Sequence, residues 1–176
     1  AWSDESRVKR SWRYAAPLVA RAPDDFIRVS EHDVAWWLYM ASKSHEAHES
    51  CFPGLAKRLL DLSSEAQVVV ESGAGEVLRQ PTLQAINHPV GRAVEALLNV
   101  WFSRRPNDGE GLPDDLRPIF TQLVSDAPPR YRHGRVILAS RLIALFRVDR
   151  GWTEQHLLPR FDWTNDPVEA SALWAG

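Results

Sequence analysis

His45, His48 and Cys51 stand at i, i+3 and i+6, with Glu46 and Glu49 among them. Zinc accepts such ligand types, and residues three apart share a helix face. The order is not the i and i+4 histidine pair of zinc proteases, and no second cluster supplies a fourth ligand, so a plain polar helix end is preferred over a metal site. Val68-Val69-Val70 runs into Ser72-Gly73-Ala74-Gly75, a strand-and-glycine-turn pattern. Such a turn holds a phosphate only where the strand feeds a helix N-terminus inside a parallel sheet. The chain offers no second or third strand for that sheet. A small NAD- or nucleotide-using enzyme built on the Ser72–Gly75 turn is therefore the alternative reading. No serine sits in a nucleophile-elbow context, and Cys51 has His48 three residues away without an activating pattern. His88 beside Pro89 is read as a helix cap or a satisfied, partly buried group in preference to a site residue. No catalytic, cofactor-binding or metal-ligating residue is assigned, and no cofactor is expected.

The charged residues point the same way. The chain has 176 residues, 44% of them apolar, with a formal net charge of −2. That length supports one sizeable core and is short for two, so residues 1–176 are expected to form a single helical domain. Lys9, Lys43 and Lys57 are the only lysines, which leaves the positive charge almost wholly to arginine. Arg92, Arg104, Arg105, Arg130, Arg132 and Arg135 would serve a nucleic-acid-binding helical module only if clustered on one face. With a mildly acidic overall balance, nucleic acid is the second alternative and not the expected partner. The single Cys51 excludes an intrachain disulfide and suits a reducing compartment. No apolar run approaches the ~20 residues of a membrane span, and no signal-peptide pattern is present. A cytoplasmic protein is expected.

The elements that must position these residues read as helices. Pro89 suits a first helical turn, where its missing N–H has no intrahelical partner to lose, with Asn87 or His88 as cap. Val90, Val94, Leu97, Leu98 and Trp101 then follow one helical face, while Arg92, Glu95 and Asn99 fall on the other side. Upstream, Ser3 to Ala20 predicts a helix broken or kinked near Pro17. Ser30, three residues before Asp33, is placed to cap a helix through Val34, Trp37, Leu38 and Ala41, aromatic enough to be buried on most sides. Pro53 to Leu62 gives a further helix, and Ser63 to Thr82 is the least legible stretch. Downstream, Leu112-Pro113-Asp114-Asp115 is expected to open a helix carrying Leu116, Ile119, Phe120 and Leu123. Tyr131 to Val148, the most apolar stretch, is placed in the middle of the bundle, with Arg135, Arg141 and Arg147 reaching out to carboxylates. Thr153 is read as the cap of a short helix ended by Pro159. Asp166-Pro167 starts the last helix, holding Val168, Ala170, Leu173 and Trp174. The sum is an all-α protein, an irregular array of about seven helices that is helical-repeat-like without a fixed period.

Eight tryptophans are many for this length, and core packing accounts for most of them. Trp2, Trp152 and Trp174 lie near ends or turns and are the better candidates for a joint with a partner. A chain that begins at Ala1 without Met, and stops at Leu173-Trp174-Ala175-Gly176 inside an apolar pattern, is expected to be cut from a longer polypeptide.

The Ile86-Asn87-His88-Pro89-Val90-Gly91-Arg92 segment and the Gly151–Trp163 tail, followed by Glu169-Ala170 and Leu173-Trp174-Ala175-Gly176, resemble a known region. It is the helical C-terminal domain of unknown function found in large bacterial sirtuin-like antiphage defence proteins. The resemblance covers about the last half of the chain. It implies that NAD hydrolysis belongs to an N-terminal sirtuin-like domain, and that the helical part senses a trigger, holds oligomers together or restrains that enzyme. The glycine turn at Ser72–Gly75 and the His133-Gly134 pair are superficial echoes of a sirtuin NAD site. The expected function is thus a non-catalytic interaction or regulatory module, a sensor or scaffold. Its partners are other domains of the parent chain, protein partners or further copies of itself, with no membrane. Asn87, His88, Pro89, Gly91, Arg92, Trp152, Trp163 and Trp174 form its interaction or packing signature.

Overall fold

The computed structural model describes residues 4–44, 51–63, 81–125 and 128–175. Eleven α-helices lie among them: α1 (Asp4–Arg21), α2 (Asp24–Val29), α3 (Glu31–Ser42), α4 (Phe52–Leu62), α5 (Pro81–Asn87), α6 (Pro89–Ser103), α7 (Arg117–Ser125), α8 (Arg132–Ala139), α9 (Leu142–Val148), α10 (Arg150–Trp152) and α11 (Pro167–Trp174). The described residues contain no strand, so the all-α class holds. The count exceeds the expected seven because α2, α5 and the three-residue α10 were not expected as helices and the expected Tyr131–Val148 rod is cut in two. Ser30, at φ −105° and ψ 21°, separates α2 from α3. Arg141, at φ −116° and ψ 17°, separates α8 from α9, after Ser140 Oγ has turned back to the Ile137 carbonyl.

Helix α6 is the axis of the array. Its predicted face, Val90, Val94, Leu97, Leu98 and Trp101, is wholly buried, and Ala93, Ala96 and Val100 are buried beside it. Helices α3, α4, α5 and α8 pack around it. Each covering helix offers its own apolar stripe: Val34, Ala35, Leu38 and Ala41 from α3, Leu55, Leu59 and Leu60 from α4, and Val136, Ile137 and Leu138 from α8. Gly91 and Gly134 permit two of the closest approaches. A Cβ on Gly91 would lie 2.0 Å from the Ala85 carbonyl oxygen of α5, and one on Gly134 would meet Val94 of α6 at 3.1 Å. Helix α1 joins from outside through Trp12, which stacks on Trp37 at 5.2 Å and leans on Phe52 at 5.4 Å. Arg58 of α4 ties down the end of α1 by donating to the carbonyls of Val19, Ala20 and Ala22.

Several sequence expectations need correction. Helix α1 runs unbroken through Pro17 to Arg21. Ser30 occupies the N-cap position of α3, but its side chain makes no capping hydrogen bond. Helix α3 is buried or half-buried over most of its residues, as expected, but Trp36 is 53% exposed. The helix expected from Pro113 becomes regular only at Arg117, although the Pro113 carbonyl already accepts from the N–H groups of Leu116 and Arg117; the Asp115 carboxylate in this first turn pairs with Arg104 at 2.8 and 2.6 Å. The predicted Tyr131–Val148 helix is two helices, and only α8 is central. Helix α9 lies at the edge, with Ile143 78% exposed. Asp149, not Thr153, caps the next turn by accepting from the Trp152 N–H. Thr153 instead begins a π-helical turn, Thr153–Leu157, followed by a 3-10 turn, Leu158–Phe161. The last helix starts as expected: Pro167 follows the Asp166 cap, whose carboxylate accepts from the Glu169 N–H at 2.9 Å.

Candidate functional site

The signature residues of the α5–α6 turn meet at one joint. Asn87 Nδ2 donates to the Leu83 carbonyl at 3.0 Å, closing α5. His88 Nδ1 accepts from the Val90 N–H at 3.2 Å, which makes this histidine the N-cap of α6. The ring of His88 lies over that of His133 from α8, with centroids 4.2 Å apart and planes 22° from parallel. Burial, with the like-charged neighbours His133 and His32, pushes His88 down to about 3. Burial and the Arg132 guanidinium push His133 down to about 4. Both imidazoles are therefore neutral at pH 7. The Nδ1 of His88 is occupied by its capping bond, and its buried Nε2 has no hydrogen-bond partner among the described residues. Such a pair locks helices together and is poorly arranged to exchange protons with a substrate. Arg92, one turn on, stacks over Trp36 at 4.6 Å and Tyr39 at 5.0 Å, and Lys43 covers the same Tyr39 ring at 4.1 Å.

The tail residues gather around Arg132 and Arg135, in the first turn of α8. Arg135 is buried to 1% exposure and forks onto Glu169 of α11, with Nε and Nη2 donating to its two carboxylate oxygens and Nη1 to the Leu123 carbonyl. Arg160 from the 3-10 turn closes the end of α7 by donating to the carbonyls of Val124 and Ser125. Between α7, the π-helical turn and α11 lies a cleft of about 280 Å³ lined by Gln155, His156, Arg160, Asn165, Asp166 and Glu169. π-Helical turns are rare and concentrate at functional positions. Beyond the cleft the surface is aromatic: Trp163 is 52% and Trp174 64% exposed, with Val168 52% exposed on α11. Trp174 is held in place by an edge-on contact with Phe161 at 5.2 Å and by donation from Nε1 to the Phe161 carbonyl at 3.2 Å.

The signature residues thus divide into two groups that do not meet in one site. Asn87, His88, Pro89, Gly91 and Arg92 build the joint around α6. Trp152, expected as an interaction residue, is buried in the core, where its Nε1 donates to Thr121 Oγ1 at 2.8 Å. Trp163 and Trp174 alone of the predicted tryptophans reach the described surface at the tail. The arginines weighed for nucleic acid are largely engaged within the chain. Arg104 pairs with Asp115, Arg132 with Asp166 and Arg135 with Glu169, while Arg92 and Arg130 lie over aromatic rings. His133-Gly134 is a packing contact of α8. His45, His48 and the Ser72–Gly75 turn lie outside the described residues, and the described residues contain no group of three or more metal-ligating side chains. Sequence reasoning missed the Arg135–Glu169 fork, whose partners are 34 residues apart, and the π-helical turn, which has no spacing signal of its own. No family model, curated protein or solved structure matches the chain.

Proposed function

We propose that the chain is a non-catalytic, all-α interaction and regulatory module that works as part of a larger bacterial protein. The reading extends to a sirtuin-like NAD-hydrolysing defence protein as the parent, on the strength of the sequence resemblance. The observation that carries it is the aromatic tail surface. Trp163, Val168 and Trp174 are each about half exposed or more within residues 163–174, Trp174 is held by Phe161, and the buried Arg135–Glu169 fork ties the same helix to α8. Preordered tryptophan on a firm base is the composition of an interface hot spot, because little side-chain entropy is lost on docking. The titratable groups support the same reading. The histidines of the joint and the arginines of the tail hold helices to one another.

The test is an assay in trans. The sirtuin-like domain of the parent gene is assayed for NAD hydrolysis alone, with this chain, and with a Trp163→Ser, Trp174→Ser double variant. The reading predicts that the chain shifts the rate several-fold, that the variant shifts it little, and that the chain alone releases no nicotinamide. An unchanged rate, or NAD turnover by the isolated chain, refutes it.

A further inference from the structure

A second concavity, away from the tail, combines charges and apolar walls in a way the helical packing does not require. It is a groove of about 210 Å³ between α5, α6 and the α8–α9 junction. Ile86, Leu98, Phe102 and Ile137 supply the apolar walls, and Glu95 and Arg141 the charges. The neutral polar groups beside them are largely spent. Asn99 Nδ2 donates to Ser42 Oγ at 3.1 Å, and Ser140 Oγ donates to the Ile137 carbonyl at 2.7 Å. Glu95 forms no ion pair or hydrogen bond among the described residues, although it is half-buried on α6. Arg141 makes only a long contact with the Ser140 carbonyl at 3.4 Å. Arg135 pairs with Glu169 and Arg147 with Asp108, whereas Arg141 reaches no carboxylate among the described residues.

We propose that this groove binds a small zwitterion with an apolar body, a free apolar α-amino acid, with its ammonium on Glu95 and its carboxylate on Arg141. The chemistry follows from the inventory. One carboxylate accepts from an ammonium, a guanidinium forks onto a carboxylate, and the apolar walls between them take a branched or aromatic side chain. Partial burial of Glu95 strengthens its contact with the ammonium over the value in bulk water, while the exposed Arg141 closes the groove at its rim. The volume lies below the ~300 Å³ at which sites for drug-sized ligands begin, which selects a small ligand. The groove is separate from the tail surface, so the two proposals stand or fall independently.

The experiment is a chemical-shift titration of the isotope-labelled chain with L-leucine and L-phenylalanine at millimolar concentration. N-Acetyl-leucine and leucinamide, each missing one charge, serve as matched probes. The site predicts saturable shifts at Ile86, Leu98, Phe102 and Ile137, and binding of each blocked derivative at least about tenfold weaker, the usual loss when a charged contact is removed. Glu95→Gln should weaken leucine by a similar factor and abolish the discrimination against N-acetyl-leucine. Arg141→Gln should do the same for leucinamide. Absence of saturable shifts in the groove, or equal binding of leucine and both derivatives, overturns the assignment and leaves two ordinary solvated charges. Should a variant unfold, the blocked ligands on the unaltered chain still decide.

Discussion

A guanidinium with 1% of its surface in solvent, as in Arg135, cannot be left alone. Burial pulls its proton affinity down, and the Glu169 carboxylate pulls it back up. The fork also fixes where α11 lies on α8, and with it where Val168 and Trp174 emerge. Removing one partner leaves an uncompensated buried charge, whereas removing both does not. Glu169→Gln is therefore expected to cost about 3–5 kcal/mol in denaturant unfolding, and Arg135→Met with Glu169→Leu far less, near zero or better. Equal losses in the single and double variants would show that the pair is held by something other than mutual neutralisation. The fork was not legible in the sequence, where Arg135 reads as one more arginine of an apolar helix. Its partner had been expected at the surface, and the arginine turns inward instead. Arg147, by contrast, reaches the exposed Asp108 as expected. Arg141 reaches no carboxylate among the described residues, and that departure is what draws attention to its groove.

At the scale of elements, legibility tracked how local the determining interaction is. Helix α6 was readable because its start signal, Pro89 behind His88, and its apolar period lie within one short stretch. The Asp166-Pro167 start of α11 was readable for the same reason. Boundaries failed where a side chain was claimed from afar. Asp149, which caps α10 in place of the expected Thr153, also accepts from the Leu112 N–H and from Arg117. The site divided likewise. Trp174 was placed at a surface by its position, but Trp152 was misjudged because Thr121, which accepts its N–H, comes from another helix.

The joint of α5, α6 and α8 carries a pH dependence whose sign follows from its burial. Both histidines titrate lower in the folded chain, at about 3 and about 4, than the ordinary 6.5. The unfolded chain thus takes up these protons first. Stability from this joint is fully present above pH 6.5 and is lost as the pH falls from there towards about 4 for His133 and about 3 for His88. Protonation of His88 at Nδ1 would also break its cap, at the helix end least hospitable to a cation. Unfolding free energy is expected to drop by about 1–2 kcal/mol between pH 7 and pH 5, with His133 discounted for solvent screening. His88→Asn, which retains a capping group, should flatten that slope. A slope unchanged in the variant would place the acid sensitivity elsewhere.

At the scale of the molecule, α6 organises the core and the tail presents the aromatic surface, with the Arg135–Glu169 fork connecting the two. No helix among the described residues is long and apolar enough to cross a membrane. Trp163 is 52% and Trp174 64% exposed, and on the proposed reading these rings meet a neighbouring protein surface. Hydrogen exchange comparing the isolated chain with the same residues inside the proposed parent protein tests this most directly. The account predicts added protection over residues 158–175 in the parent, with α6 equally protected in both. Unchanged exchange over the tail, or new protection centred on the His88–His133 joint, would contradict it.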